Sequence, residues 1–214
     1  MQTDQLQAGN RRGQRSRKEI LNVAVRLMAE KGYAATSVST LCQETGLPKS
    51  AIYHHFQSKS GLLSAVMDHN ARRFFDAMQQ SYANIPPLDT DFERLNWYLQ
   101  RTGEVFLSHA DFLRLHLILL MSDEAPEISD MITQVRQDGR KCMHQMLQDS
   151  FCDYDAELKK AIADRLVYFA VAGFDGAVIE LQADPNQTLE ESMTLLAESI
   201  ALMGKNYAEK HVTK

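Results

Sequence analysis

The sequence predicts an all-α protein of about nine helices, on three observations. Apolar residues recur at spacings of three and four along most of the chain, no stretch alternates cleanly with period two, and cap-type residues punctuate the periodic segments. In the first segment Ile20, Val23, Ala24, Leu27 and Met28 form one apolar face, stopped at Gly32. Thr36-Ser37 caps a second, short helix that runs to Thr45-Gly46. Pro48 suits the first turn of a third, reaching about Phe56. Ser58 caps a fourth that runs into the eighties, where Pro86-Pro87 ends it. Thr90 opens a fifth through His109, and Phe112–Met121 is compact and apolar. Pro126 starts a long segment to the neighbourhood of Phe151, and another runs from about Asp155 to before Pro185. Thr188 and Glu191 have capping-box spacing ahead of the last helix.

Composition narrows the function classes. At 214 residues, 44% apolar and 24% charged, the chain is that of an ordinary globular protein, long enough for a substantial core. No uninterrupted apolar run approaches the roughly 20 residues that span a bilayer, and no secretory signal opens the chain. Cys42, Cys142 and Cys152 are too few and too scattered for a disulfide framework. A reduced, soluble, cytoplasmic protein with no membrane partner is expected. The net charge of −5 hides a partition: residues 1–73 carry eleven Lys/Arg against five Asp/Glu, and residues 74–214 carry twelve against twenty-three. The basic end suits a polyanion.

The basic end is also patterned. Arg11, Arg12, Arg15, Arg17 and Lys18 crowd eight residues just before the first apolar face. Residues 39–56 then read as two short helices about a tight turn, with Leu41, Cys42, Leu47, Ile52 and Phe56 as a shared seam. Lys49, Ser50, Ala51, Tyr53 and His54 are left on the outer face of the third helix, where small and polar side chains suit a major groove. Periodicity alone fits a plain three-helix bundle with a solvated face. The adjoining basic run favours a phosphate-binding arm, with Lys59 a further phosphate contact at the fourth helix start.

Residues 17 to about 67 resemble the DNA-binding domain of the TetR (tetracycline-repressor) family of bacterial transcriptional regulators. The resemblance rests on Ile20–Met28, Lys31-Gly32-Tyr33, Thr36-Ser37-Val38, the run from Gly46 to Phe56, and Ser58-Lys59-Ser60-Gly61-Leu62-Leu63. Pro48 and Ser50 depart from the family's usual serine and glycine, at positions that bear on which operator is read. The resemblance implies that Lys49, Ser50, Ala51 and His54 face bases. It implies that Tyr53 and Lys59 grip phosphates with help from Ser37 and Ser39, and that His55 and Phe56 lock the third helix against the fourth. The organisation expected is a basic arm over 1–18, a helix-turn-helix domain over 19–62, and an effector-binding and dimerisation domain over 63–214.

In that last region the segment from Leu166 to Leu181 is apolar nearly all round. Leu189, Met193, Leu196, Ile200, Met203 and Tyr207 repeat at alternating spacings of four and three, a heptad seam. A homodimer interface is expected from Phe169, Gly173, Gly176, Met193, Leu196, Ile200 and Met203, the rival being an intramolecular seam. An effector pocket is expected among Phe74, Phe75, Met78, Tyr98, Phe106, Phe112, His116, Met121, Met143, His144 and Phe174, although each also suits plain core. Arg114 is the main cation near these, and the acidic balance favours a largely apolar effector, neutral or cationic. Asp175 is unusual in so apolar a segment and is expected to pair with Arg or His.

No catalytic motif is present, and Cys142 and His144 lie on opposite sides of a helix, so neither metal nor cofactor is expected. The function expected is a ligand-responsive DNA-binding regulator, not an enzyme: a homodimeric repressor released from an inverted-repeat operator by a small effector. The alternatives are an activator or partner-regulated DNA-binding protein, and a helical enzyme or binding protein with a basic arm.

Overall fold

The computed structural model describes the backbone of residues 2–122 and 125–212, and the side chains of residues 13–122 and 125–211. Among these the elements are α1 (Gln2–Lys31), α2 (Val38–Thr45), α3 (Lys49–Phe56), α4 (Lys59–Ser81), α5 (Asp91–Ser108), α6 (Ala110–Leu120), a 3-10 turn (Pro126–Ile128), α7 (Ser129–Ser150), α8 (Ala156–Ala183) and α9 (Leu189–Val212). No strand occurs among the described residues.

Local chemistry sets most boundaries. Ser37 Oγ accepts from the Thr40 amide at 3.0 Å and opens α2, and Gly46 closes it at φ +68°, a conformation that favours glycine. Thr90 and Glu93 form a reciprocal capping box before α5, and Asp155 caps α8 by accepting from the Glu157 and Leu158 amides. Three boundaries differ from expectation. The basic segment is helical and continuous with α1, which is 30 residues long. α4 ends at Ser81, whose hydroxyl donates back to the Met78 carbonyl at 2.7 Å. Pro126 opens a 3-10 turn, and α7 proper starts at Ser129.

The chain forms two compact units, residues 1–75 with 109–135 and residues 76–108 with 136–214. In the first, α1 packs against α2, α3 and α6. Ile20, Leu21, Ala24, Leu27, Met28, Leu41, Ile52 and Phe56 are buried there, while Cys42 and Leu47 are only half-buried. Thr36 Oγ1 reaches both the Leu27 and Gly32 carbonyls and so fixes the turn between α1 and α2. In the second unit, α9 packs against α5 and α8 around Leu95, Leu99, Leu147, Phe151, Ile162 and Leu166. Arg94, 7% exposed, donates to the Ser150 and Leu88 carbonyls and pairs with Asp91 and Asp153, so its buried charge is fully engaged.

Of the seam of α9, Met193, Leu196 and Ile200 are turned inward, which corrects the expected interface at those residues, while Phe169 and Met203 stay exposed. Met193 and Ile200 are wholly buried and Leu196 nearly so, because α5 and α8 of the same chain fill both flanks of the seam. Leu196 lies so close over α8 that a Cβ on Gly173 would come within 2.6 Å of its Cδ1. Gly173 therefore also serves packing within the chain. A different face stays uncovered: Tyr168, Phe169 and Ile179 on α8, and Leu195, Leu202 and Met203 on α9. Gly176 has no neighbour within 4 Å of where its Cβ would stand. By length and composition α8 could also cross a membrane, contrary to the expectation from uninterrupted runs. One side of it packs on α9 and its Asp175 pairs with Arg136, while 22% of its apolar window is buried.

Candidate nucleic-acid interface

The outer face of α3 is built by what its inner face buries. Ile52 and Phe56 point inward, four residues apart, which leaves Lys49, Ser50, Tyr53 and His54 exposed and Ala51 half-exposed. Tyr53 is 48% exposed, a large ring standing free on a helix eight residues long. Pro48 takes the N-cap position with no side-chain cap bond, and its carbonyl accepts from the Ala51 amide at 3.0 Å. Ser37 and Ser39 are exposed at the start of α2, the former engaged with Thr40. Arg15, Arg17 and Lys18 are exposed on α1. Arg11 and Arg12 sit on helical backbone, but their side chains lie outside the described residues.

Lys59 is less free than expected. Its ammonium donates to the Ala34 carbonyl at 2.8 Å and stands 4.5 Å from the centre of the Tyr33 ring. Tyr33 in turn donates to Glu127 at 3.1 Å, and burial together with that carboxylate pushes its phenol up to about 12. The family resemblance has His55 locking α3 against α4. The hydrogen bond that holds it runs to α1 instead, where Ser16 Oγ lies 2.9 Å from its Nε2. Burial first, then His54 and Arg17, lowers the affinity of His55 for a proton. The Arg17 guanidinium lies 5.3 Å from the centre of the Phe56 ring. Sequence reasoning missed Ser16, because a serine in a polar run carries no periodic signal.

The expected effector residues fall into separate groups. In the first unit Phe74 is buried with its ring 5.2 Å from Phe75 and 6.1 Å from Phe112, and Phe112 stacks on His116 at 6.3 Å. Met121 is 86% exposed and lines no interior. In the second unit Phe106 and Phe174 meet edge to face at 4.7 Å, Tyr98 packs on Tyr82 and Trp97, and Met78 and Met143 are buried. His144 is turned to polar partners: Gln148 Nε2 donates to its Nδ1, so its Nε2 carries the proton and donates to Asp164 at 2.8 Å. Arg114 is exposed, and the cation that meets Asp175 is Arg136 of α7. Burial raises the Cys142 thiol, which disfavours the reactive thiolate.

The comparisons with known proteins agree with this architecture. Residues 20–66 match the family model for bacterial regulatory proteins of the tetR family. The chain is 28% identical over 151 residues to the HTH-type transcriptional regulator YerO of Bacillus subtilis, covering 69% of this chain and 50% of that one. It is 28% identical over 143 residues to the HTH-type transcriptional repressor KstR2 of Mycolicibacterium smegmatis, covering 64% and 65% respectively. The match thus spans about half to two-thirds of these relatives' length. A transcriptional regulator of the TerR/AcrR family from Aquifex aeolicus superposes with a TM-score of 0.65 at 20% identity, over 88% of this chain and 99% of its own. The family model falls on the helices that carry the exposed face of α3, and the fold continues beyond it through α9. Residues 20–66 therefore carry the likeness to the tetR family of bacterial regulatory proteins, and the all-α fold around them is that of a solved TetR-like regulator.

Proposed function

We propose that this chain is a cytoplasmic, homodimeric transcriptional regulator, a repressor released from an inverted-repeat operator by a small, largely apolar effector. The observation that carries the proposal is the outer face of α3, where Lys49, Ser50, Tyr53 and His54 stand exposed beside the cations of α1. Side chains of that size and polarity suit base edges and phosphates in a major groove. Two further features support the rest. The uncovered apolar face of α8 and α9 suits a second copy of the chain, and a two-fold pair of heads suits an inverted repeat. The expected effector residues are rings and thioethers, and two buried or half-buried cations on their helices are already engaged, Arg136 by Asp175 and Arg94 by Asp91 and Asp153. That favours an effector without phosphate groups.

The test is direct. Genomic fragments retained by the purified protein are sequenced, and a shared inverted repeat is expected among them. Fragments without a common site, retained equally at low and high salt, would reject the proposal. A thermal-shift screen of apolar cations, neutral aromatics, carboxylates and phosphorylated metabolites addresses the effector, and stabilisation confined to the phosphorylated set would remove that part.

A further inference from the structure

The α1 helix does not stop where its apolar face begins. It continues N-terminally through the basic segment to Gln2, and at the root of that extension two contacts join it to α3. One is the Ser16–His55 hydrogen bond. Ser16 has one hydroxyl proton, which it donates to the Gly13 carbonyl at 2.9 Å. Its oxygen is then the acceptor in the 2.9 Å contact with His55, so His55 Nε2 carries the proton and donates. The other contact is the Arg17 guanidinium over the Phe56 ring at 5.3 Å. His55 and Phe56 close the C-terminal turn of the helix whose outer face carries Tyr53 and His54.

We propose that Ser16 and His55 are positioning residues: their bond clips the basic extension of α1 to α3, so that arm and recognition helix meet DNA as one rigid body. The inference rests on the DNA-binding function proposed above. Neither residue contacts DNA in this account. The clip acts by fixing the helix root at Ser16, beside Arg15 and Arg17, against α3, so that the helical backbone beyond it continues in one direction. Without it, of these two contacts only Arg17 over Phe56 still ties the helix root to α3, and the extension that continues from that root is no longer preorganised relative to the recognition helix.

Binding of the full-length protein to a mixed-sequence DNA duplex is measured between about 50 and 200 mM salt, where the phosphate backbone dominates affinity. Ser16→Ala is expected to lower the salt slope by about 0.9 for each phosphate that the arm no longer reaches, and to weaken binding without lowering Tm, since alanine favours the helix. Ser16→Thr, which keeps the hydroxyl, restores the parent slope. His55→Ala reproduces Ser16→Ala, and the double variant binds no more weakly than either. With Arg11, Arg12 and Arg15 all changed to Ala, adding Ser16→Ala changes nothing. A Ser16→Ala protein with the parent's slope and affinity overturns the clip, as does an equal weakening in the arm-free background. A parent protein with no salt-dependent affinity overturns the DNA-binding function, and the clip with it.

Discussion

His69 of α4 has its Nε2 buried with no hydrogen-bond partner among the described residues. Burial, followed by Arg73, Arg17 and Lys18 and only partly opposed by Asp68, holds its imidazole below the ordinary 6.5. Unfolded chains therefore bind this proton more readily than folded ones. The stability that neutral His69 contributes is complete above about pH 6.5 and is lost as the pH falls below it. His55, shifted in the same direction, adds to the trend. Thermal unfolding followed from pH 7 to 5 should show a falling Tm, and His69→Gln should flatten part of that fall. A variant with the parent's full pH dependence would mean that His69 takes up its proton equally in the folded and unfolded states.

At the scale of elements, the junction of α3 and α4 is the tightest spot in the head. A Cβ at Gly61 would lie 2.3 Å from the Phe56 carbonyl oxygen, a backbone atom that cannot turn aside. Gly61→Ala is expected to destabilise by about 1–3 kcal/mol, the usual range for overpacking, and to show as a lower Tm. Gly139 of α7 is the control: with nothing within 4 Å, Gly139→Ala should gain up to about 1 kcal/mol of helix propensity. The helices themselves were legible in the sequence because their signals are local. Ser37, Thr90 and Asp155 cap where their types suggest, and Gly32 and Gly46 stop helices at positive φ. The extension of α1 was not legible, since residues 2–12 are polar and offer no apolar face to count. The α9 seam was legible as a seam, yet heptad spacing says only that a helix packs there, not whose helix it is. For the candidate site, the outer face of α3 followed from its buried face. The engagement of Lys59 with Tyr33 and Ala34 depends on residues up to 26 positions apart (33 to 59) meeting in space, which no local pattern encodes.

At the scale of the whole molecule, the inward seam and the outward stripe predict opposite fates for similar substitutions. Ile200→Asp places a charge at a fully buried position and should cost the fold, seen as loss of cooperative unfolding. Leu195→Asp with Leu202→Asp changes residues that are 58% and 61% exposed, so the chain should stay folded. If the chain dimerises as proposed, light scattering should then report a monomer for this variant and a dimer for the parent, and an intact variant dimer would move the interface elsewhere. The partition into two units has a further consequence, for the order in which the chain can fold during synthesis. The unit that carries α1 to α3 is discontinuous in sequence, for α6 and residues up to 135 belong to it as well. At a synthesis rate of 5–20 residues per second, the roughly 60 residues between positions 75 and 135 take about 3–12 s to follow. During that interval the side of α1 destined for α6 faces water or a chaperone, and a fragment cut at residue 75 would keep it so permanently. The head is therefore made first and finished late.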